Sequence, residues 1–235
     1  MTEKNLIELK KEIKLYTDIF EKNESVKGDG SFDCQSVKNT IIEMSKLALN
    51  DETESDSFIN WLETHEFFTG PASSKFHANT KGGLAAHSLM VTYQSFVFAI
   101  PLFENFIKTK FGSKFTFTAK DIFIAAIAHD FCKAGFYSME HRRTKDYNGN
   151  WTYEPFYKVK NDNRNLGHGN ESVLMLLEIL PQYIKNRPVL EAISRHMGFS
   201  DISENESYNY SNFLQNPLVV LLQLADQSAA QWWNC

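Results

Sequence analysis

The chain has 235 residues and a mass of 27.1 kDa, which lies within the range of one large domain. Apolar residues make up 43% of the sequence and aromatic residues 14%, so the composition excludes disordered, collagen-like and disulfide-scaffold proteins. With 24 Lys and Arg against 29 Asp and Glu, the net charge is −5 at pH 7. This charge disfavours the wrapping of nucleic acid unless a local basic patch overrides it.

The cysteines and the apolar stretches indicate the cellular compartment in which the protein would be found. Cys34, Cys132 and Cys235 are far apart and form no CxxC pair, which argues against both a disulfide framework and a cysteine-based zinc site. The first residues, MTEKNLIELKKEIKLY, carry charge where a signal peptide needs an apolar segment. The apolar stretches at 122–128 and 217–225 are too short to span a bilayer. We therefore predict a cytoplasmic protein with no membrane partner.

Helical patterns dominate the chain. Apolar periodicity predicts a first helix from Asn5 to Phe20, and the charged, Gly-containing stretch from Glu21 to Ser31 predicts a loop or linker. We therefore divide the chain into an N-terminal helix with its linker, residues 1–30, and a main domain, residues 31–235. The helices predicted in the main domain run from Ser36 to Leu49, Asp56 to Glu66, Leu84 to Ala99, Ala119 to Phe131, Ser172 to Leu180, Val189 to His196 and Leu218 to Trp233.

Two helix starts carry capping signals, and one segment carries a strand signal. Thr118 with Asp121 forms a capping box, and Asn216 with Pro217 supplies a cap and a proline at the first helical position. An Asn-Gly turn between aromatic residues predicts a hairpin from Asp146 to Tyr157. The predicted fold is therefore all-α with a small β-hairpin or irregular insertion.

Two acidic positions interrupt apolar helices. Asp226 lies on the helix face that carries Val219 and Leu222, where a bare buried carboxylate would cost several kcal/mol unless it is paired or bound to a metal. The doublet His129-Asp130 ends the apolar helix IFIAAIA, and its imidazole and carboxylate can converge on one ion. This mixed nitrogen and oxygen set suits Mn, Fe, Zn or Ni in an open site. Any one of the histidines, taken singly, is more often a packed core or surface residue than a metal ligand.

Taken together, the order His, His-Asp, His, His, Asp resembles the HD-domain superfamily of metal-dependent phosphohydrolases. The resemblance covers roughly residues 68–234 and implies a helical bundle. It is nearest to uncharacterised bacterial and phage HD hydrolases and to the HD module of a 3′-to-5′ exoribonuclease family, through KFHANTKGGLAAH at residues 75–87, GHG and RHMG. The positions that match the ligand pattern are His87, His129, Asp130, His168, His196 and Asp226.

The resemblance implies two divalent metal ions, with Mn or Fe favoured and Mg, Co, Ni or Zn as alternatives. The two ions would share Asp130 as a bridging ligand. One ion would also bind His87, His129 and Asp226, and the other His168 and His196.

The resemblance also implies catalytic and phosphate-binding roles. Lys133 completes an H-D-x-x-K form of the doublet and would orient the attacking water or offset phosphoryl charge, so Asp130 and Lys133 are the predicted catalytic residues. The alternative for Lys133 is a surface lysine at a helix C-terminus. Lys75 and His77 precede the helix of His87 and are predicted to contact a phosphate.

A basic and aromatic segment is the candidate for substrate recognition. Residues 141–164 contain six Lys or Arg against three acidic residues, interleaved with Tyr, Trp and Phe. Cations bind phosphate and rings stack on bases, so we predict that Arg142, Arg143 and Lys145 contact the substrate. The alternative is a solvated hairpin whose rings pack on the bundle.

We predict a metal-dependent phosphohydrolase that hydrolyses a phosphate ester of a nucleotide-type substrate through a metal-activated water. This class includes nucleotidases, nucleotide phosphohydrolases and small phosphodiesterases. The partner would be a nucleotide or another phosphate-ester small molecule, with short single-stranded nucleic acid as a further candidate. Three alternatives stay open: a 3′-to-5′ exonuclease-type phosphodiesterase on short oligonucleotides, an HD-type di-iron oxygenase and a non-catalytic nucleotide-binding module. The sequence leaves the oligomeric state undetermined.

Overall fold

The computed structural model describes residues 1–160, 164–201 and 207–235; Asp162, counted above in the basic segment, lies outside these ranges. The described chain is mostly helical with one two-stranded antiparallel sheet, which confirms the predicted fold class at this level. Three 3-10 turns, Phe131–Lys133, Pro181–Lys185 and Gly198–Asp201, join some of these elements. In chain order the elements are α1 Glu3–Asn23, α2 Cys34–Ala48, α3 Glu52–Thr64, α4 Gly83–Phe106, α5 Ala119–Ala128, β1 Tyr137–Lys145, β2 Trp151–Val159, α6 His168–Ile179, α7 Arg187–Ser194, α8 Tyr210–Phe213 and α9 Pro217–Trp232.

The central helix is α4, which packs against α1, α2, α5 and α9. Because it has neighbours on several sides, its buried residues do not form a single stripe. The predicted end at Ala99 was wrong, since α4 continues through Pro101 to Phe106. Pro101 lies on the exposed side while Phe103 is fully buried, so core packing extends the helix past a residue that normally ends one.

α4 also bears on the membrane question. Among the described residues it is the one helix long and apolar enough to cross a bilayer by length and composition, and it is longer than the apolar stretches at 122–128 and 217–225. The protein itself buries 78% of the apolar window of this helix. A helix at the centre of a bundle is apolar on all sides because other helices pack around it. The composition of α4 is therefore only weak evidence for a membrane span.

The N-terminal segment packs on the rest of the chain. α1 buries Leu9, Ile13 and Tyr16 in the same apolar core that contains α4 and α5. The loop after it is held at its base, where the hydroxyl groups of Ser25 and Thr40 lie 2.7 Å apart. Residues 1–30 therefore contribute to the core of the main domain.

The doublet His129-Asp130 lies where α5 ends. The predicted capping box forms at the start of the helix: the Thr118 amide donates to Asp121 at 2.9 Å, and the Asp121 amide donates to Thr118 at 3.2 Å. The predicted C-terminus at Phe131 was too late, because the helix stops at Ala128 and a 3-10 turn follows Asp130. This break places the two side chains of the doublet at the end of a buried helix.

The hairpin is longer than the sequence suggested. Its strands pair from Tyr137 with Val159 to Lys145 with Trp151, so β1 begins well before the predicted start at Asp146. The pattern was missed because most of the hairpin is exposed on both faces, which removes the apolar alternation that marks a half-buried strand.

Candidate metal centre

Five side chains from four parts of the fold converge in the interior, and we call them the candidate metal centre. One lies near the start of α4, two follow α5, one follows α7 and one lies on α9. Four of the five are almost completely buried, and the fifth, Asp226, is 19% exposed. The members are His87, His129, Asp130, His196 and Asp226.

A close backbone contact fixes the start of α4, and with it His87. Gly82 has a φ of 81°, which side chains with a Cβ rarely adopt. A Cβ on Gly83 would lie 1.9 Å from the main-chain oxygen of Ala78, so only glycine fits there. These two glycines let the preceding loop pack directly on the helix that carries His87.

The first group of ligand atoms lies around His87. Its Nε2 atom is 3.1 Å from Asp226 Oδ1 and 3.3 Å from His129 Nε2. His129 Nε2 is 3.9 Å from Asp226 Oδ1. These three side chains therefore present two nitrogens and one oxygen to a common point.

The second group lies around Asp130. Its Oδ2 atom is 3.4 Å from His129 Nε2 and 3.7 Å from His87 Nε2. Its Oδ1 atom is 3.6 Å from His196 Nε2. The Asp130 carboxylate therefore faces both groups, one oxygen towards each.

Main-chain oxygens set the orientation of the three histidine rings. Each Nδ1 lies at hydrogen-bond distance from a carbonyl oxygen, which can only accept, so each Nδ1 carries the proton. In the neutral ring the lone pair is then on Nε2, the atom that faces the centre. The Nδ1 atoms of His87, His129 and His196 contact the oxygens of Cys235, Ala126 and Ile193 at 2.8, 2.7 and 2.7 Å.

This arrangement fits a metal ion. The Nε2 lone pairs of His87 and His129 face each other at 3.3 Å, which is repulsive unless a cation or a proton lies between them. Asp130 Oδ1 and His196 Nε2 are buried and have no hydrogen-bond partner within the described residues. An ion about 2.1 Å from each ligand separates neighbouring ligand atoms by about 3.0 to 3.4 Å, close to the spacing found here. The buried His and Asp groups can therefore hold a metal ion.

Both ligand groups contain His129, which limits how many metal ions the two groups can bind with all their ligands. Its Nδ1 atom donates to the main chain, so only the single lone pair of Nε2 is left to bind an ion. One ion can use the full set of His87, His129 and Asp226. A second ion would have Asp130 and His196 and would need further ligands.

Asp130 and Lys133 form a buried ion pair. Lys133 Nζ lies 2.6 Å from Asp130 Oδ2. Burial alone would raise the pKa of Asp130, but the charge of Lys133 outweighs burial and holds that pKa well below its ordinary value. Burial likewise opposes ionisation of Lys133, and the Asp130 carboxylate nevertheless raises the pKa of Lys133. The alternative of a surface lysine does not fit, because the Lys133 side chain is 13% exposed.

His168, the remaining ligand predicted from the sequence, is elsewhere in this structure. It is the first residue of α6, it is exposed, and it belongs to neither group of converging ligands among the described residues. Its assignment to a second ion stays a prediction.

The predicted substrate-binding residues fall into three places. Lys75 and Arg142 line one cleft of about 620 Å³ between the loop before α4 and the hairpin. His77, two residues after Lys75, packs against His87 with ring centroids 5.0 Å apart. Arg143 and Lys145 instead lie over the Trp151 ring near the tip of the hairpin.

Burial and the neighbouring charges keep His77 neutral. Desolvation, followed by the charges of His87 and Lys133, lowers the pKa of His77 to about 4. A neutral imidazole beside the candidate metal centre can either donate or accept a hydrogen bond.

Sequence reasoning missed part of the support around the doublet. Arg164 was counted as a cation of the hairpin, yet its guanidinium donates to the main-chain oxygens of Cys132 and Ala134 and lies over Phe136. The main-chain oxygen of Cys235, which orients His87, was also missed. Main-chain acceptors and contacts across thirty residues leave no local pattern in a sequence, so neither feature had a signal that could have found it.

The other two histidines lie outside the candidate metal centre. His65 stacks on Trp61 with ring centroids 4.5 Å apart, and its Nδ1 lies 3.0 Å from the Trp61 main-chain oxygen. His141 is exposed on β1. These contacts give His65 a structural role at the end of α3.

Comparison with known proteins adds no identity: no family model matches the chain, and neither a curated protein nor a solved structure is significantly similar to it.

Proposed function

We propose that this protein is a metal-dependent phosphohydrolase that acts on a phosphate ester of a nucleotide-type substrate. The observation that carries the proposal is the convergence of three imidazole lone pairs and two carboxylates in a buried site, with every Nδ1 bound to the main chain. Nitrogen and carboxylate ligands without cysteine are typical of open catalytic sites.

The bound ion would supply the nucleophile. His87, His129 and Asp226 would hold a divalent ion, whose chemistry when bound would be to lower the pKa of a water ligand and to polarise a phosphoryl oxygen. The second ligand group, with Asp130 between the two, is where the sequence pattern expects the second ion.

The chain's own residues would provide positioning and charge. Lys133 holds Asp130 as a carboxylate and places an ammonium at the edge of the candidate metal centre, where negative charge builds up during phosphoryl transfer. His77, neutral and in contact with His87, would donate to a substrate oxygen or accept from the attacking water.

The cleft beside this loop suits a nucleotide. Its volume of about 620 Å³ lies in the range of small-molecule sites. Lys75 and Arg142 supply cations for phosphate, and Phe156 and Tyr157 supply rings for a base. Lys75 lies in the cleft, and His77 contacts His87, a proposed metal ligand. The loop from 75 to 77 would therefore connect the substrate-binding cleft with the site of hydrolysis.

The test is hydrolysis by the purified full chain. We expect release of phosphate or nucleoside from a panel of nucleotides, or p-nitrophenol from bis-(p-nitrophenyl) phosphate, only with an added divalent metal. Asp130→Asn keeps the size of the side chain and should lose turnover, whereas the matched surface change Asp18→Asn should keep it. Tightly bound iron with oxygen uptake and no hydrolysis, or nucleotide binding without turnover under every metal, would contradict the proposal.

A further inference from the structure

The register of the hairpin separates its side chains by chemistry. Residues directly opposite each other in an antiparallel pair lie on the same face, so the pairs Arg143 with Tyr153 and Lys145 with Trp151 share one face. The pairs that contain the acidic residues, Glu140 with Phe156 and Arg142 with Glu154, lie on the other. We call the first face the ribbon face. It includes His141, Arg143, Lys145, Trp151, Tyr153 and Tyr157.

The ribbon face joins exposed rings with unopposed positive charge. Trp151 is 58% exposed and Tyr153 is 69% exposed, which is unusual for side chains of this size. Within the described strands no carboxylate lies on this face. The chain has a net charge of −5, so the local positive charge of this face is opposite in sign to the average charge of the protein and is complementary to an anion.

The cations are held beside a ring. The Arg143 guanidinium lies 4.4 Å from the centroid of Trp151, and Lys145 Nζ lies 5.2 Å from the same centroid. These contacts place positive charge and an aromatic surface next to each other before any ligand binds. Phosphates and bases alternate in the same way along a nucleic-acid strand.

The length of the ribbon face favours a polymer over a single nucleotide. Trp151 and Tyr157 are six residues apart on β2, which corresponds to about 20 Å at the usual rise of a strand. One nucleotide cannot reach both rings. The two strands pair only with each other in the described chain, so neither edge of the hairpin carries a third strand.

The base of the hairpin lies next to the candidate metal centre. β1 begins at Tyr137, four residues after Lys133, and the end of β2 is tied back by a hydrogen bond of 2.9 Å from the Lys160 amide to the Phe136 oxygen. Met139 and Tyr157, which pair with each other on the ribbon face, also line the cleft that contains Lys75. A strand bound along the hairpin would therefore reach the predicted reaction site.

We infer that the ribbon face binds single-stranded nucleic acid, with Trp151 and Tyr153 stacking on bases and Arg143 and Lys145 binding phosphates. This inference rests on the proposed function, because it identifies a short single strand, and not only a free nucleotide, as the substrate class of the phosphohydrolase.

The experiment measures binding of fluorescein-labelled (dT)15 to the full chain as purified, by fluorescence anisotropy at 50 mM salt and without a chelator, and the probe has phosphorothioate linkages, which resist hydrolysis. Tyr153→Ala should weaken binding about 5- to 150-fold, the loss of one stacked base. Lys145→Ala should weaken binding and reduce the slope of log K against log salt by about 0.7, the value for one phosphate contact to a single strand.

The matched control is Lys158→Ala, which removes one cation from the opposite face of the same hairpin. It should change binding less than twofold. If Lys158→Ala weakens binding as much as Lys145→Ala, the ribbon face has no special role and the inference is wrong. The inference is also wrong if an abasic 15-mer binds as tightly as (dT)15, because the rings would then not stack on bases. It is equally wrong if polyglutamate competes as well as (dT)15, because binding would then depend on negative charge alone.

Hydrolysis of bis-(p-nitrophenyl) phosphate, measured on the same preparation, separates the two proposals. Metal-dependent hydrolysis without binding of (dT)15 overturns this inference and leaves the proposed function standing. Binding of (dT)15 that is sensitive to Tyr153→Ala, without hydrolysis under any metal, supports the inference and contradicts the proposed function.

Discussion

At the scale of single residues, the orientation of the histidine rings is the most informative feature. Imidazoles that only packed in a core would not need all three Nε2 atoms to point at one another and at two carboxylates. The main-chain oxygens that accept from Nδ1 fix the tautomer, which is the usual outer support of metal-binding histidines.

Asp130→Ala should abolish both metal binding and turnover. The change removes the carboxylate that faces both ligand groups and leaves Lys133 as a buried, unpaired ammonium, so we also expect a loss of about 3 to 5 kcal/mol in the free energy of unfolding. Metal analysis and denaturant unfolding test this directly. Asp130→Asn, which has nearly the same shape, separates loss of ligation from loss of fold.

Arg142→Ala should spare the metal and weaken substrate binding. The side chain lines the cleft and lies over the Phe156 ring, away from the ligand atoms. We expect KM for a nucleotide substrate to rise about tenfold or more, as for loss of a charge-assisted contact, with the metal content unchanged. A loss of metal in this variant would contradict the separation of recognition from ligation.

The cysteines provide a test of the fold that needs no knowledge of the reaction. Cys132 and Cys235 are buried, and burial raises the pKa of each thiol to about 12, so both stay protonated at neutral pH. Cys34 is exposed. Iodoacetamide at pH 7.5 should therefore label one site per native chain, Cys34, and all three after denaturation. Rapid labelling of Cys132 in the native protein would argue against the described packing around the doublet.

At the scale of elements, the junction of the loop before α4 with the helix itself controls the position of His87. The same loop carries Lys75 into the cleft and His77 against His87. A small displacement of this junction would therefore disturb ligation and recognition together.

Gly83→Ala should destabilise the fold and weaken metal binding. The new Cβ would lie 1.9 Å from the Ala78 oxygen, so the backbone must move, at a cost of about 1 to 3 kcal/mol in the free energy of unfolding. Gly28→Ala is the matched control, because nothing lies within 4 Å of a Cβ there. Thermal unfolding and metal titration of the two variants should differ clearly, and equal behaviour would contradict the tight junction.

Which features were predictable depends on whether they leave a local pattern. The helices with apolar periodicity and the Thr118 cap were predicted correctly, because each depends on residues within a few positions. The early start of β1 was missed because a strand exposed on both faces has no apolar alternation. The continuation of α4 past Pro101 was missed because core packing around Phe103 determines it. The His and Asp residues of the candidate metal centre are far apart in the sequence; they were found because acidic residues interrupt apolar helices and because their order resembles a known ligand pattern. Arg164 and the Cys235 oxygen required the structure.

At the scale of the whole molecule, the candidate metal centre ties together α4, α5, α7 and α9, which are far apart in the sequence. In the absence of an ion, its facing lone pairs and its unpaired Asp130 and His196 atoms disfavour the packed state. Occupancy by a metal should therefore stabilise the fold as a unit.

A divalent metal should raise the melting temperature. At one hundred times its dissociation constant, an ion that binds only the folded chain adds about 2.7 kcal/mol. For a chain of this length that corresponds to roughly 5 to 11 °C. Differential scanning fluorimetry with Mn, Fe, Co, Ni, Zn and Mg would rank the metals, and Asp226→Ala should remove most of the shift.

The most direct test of the central claim is the metal content of anaerobically purified protein, compared between the natural chain, His87→Ala and the exposed control His141→Ala. We predict at least one tightly bound transition-metal ion per chain in the natural protein and in His141→Ala, and its loss in His87→Ala. A second, more weakly bound ion lost in His168→Ala would extend the centre to the two ions expected from the sequence pattern. A natural chain that folds, stays metal-free and gains no stability from any divalent ion would contradict the account.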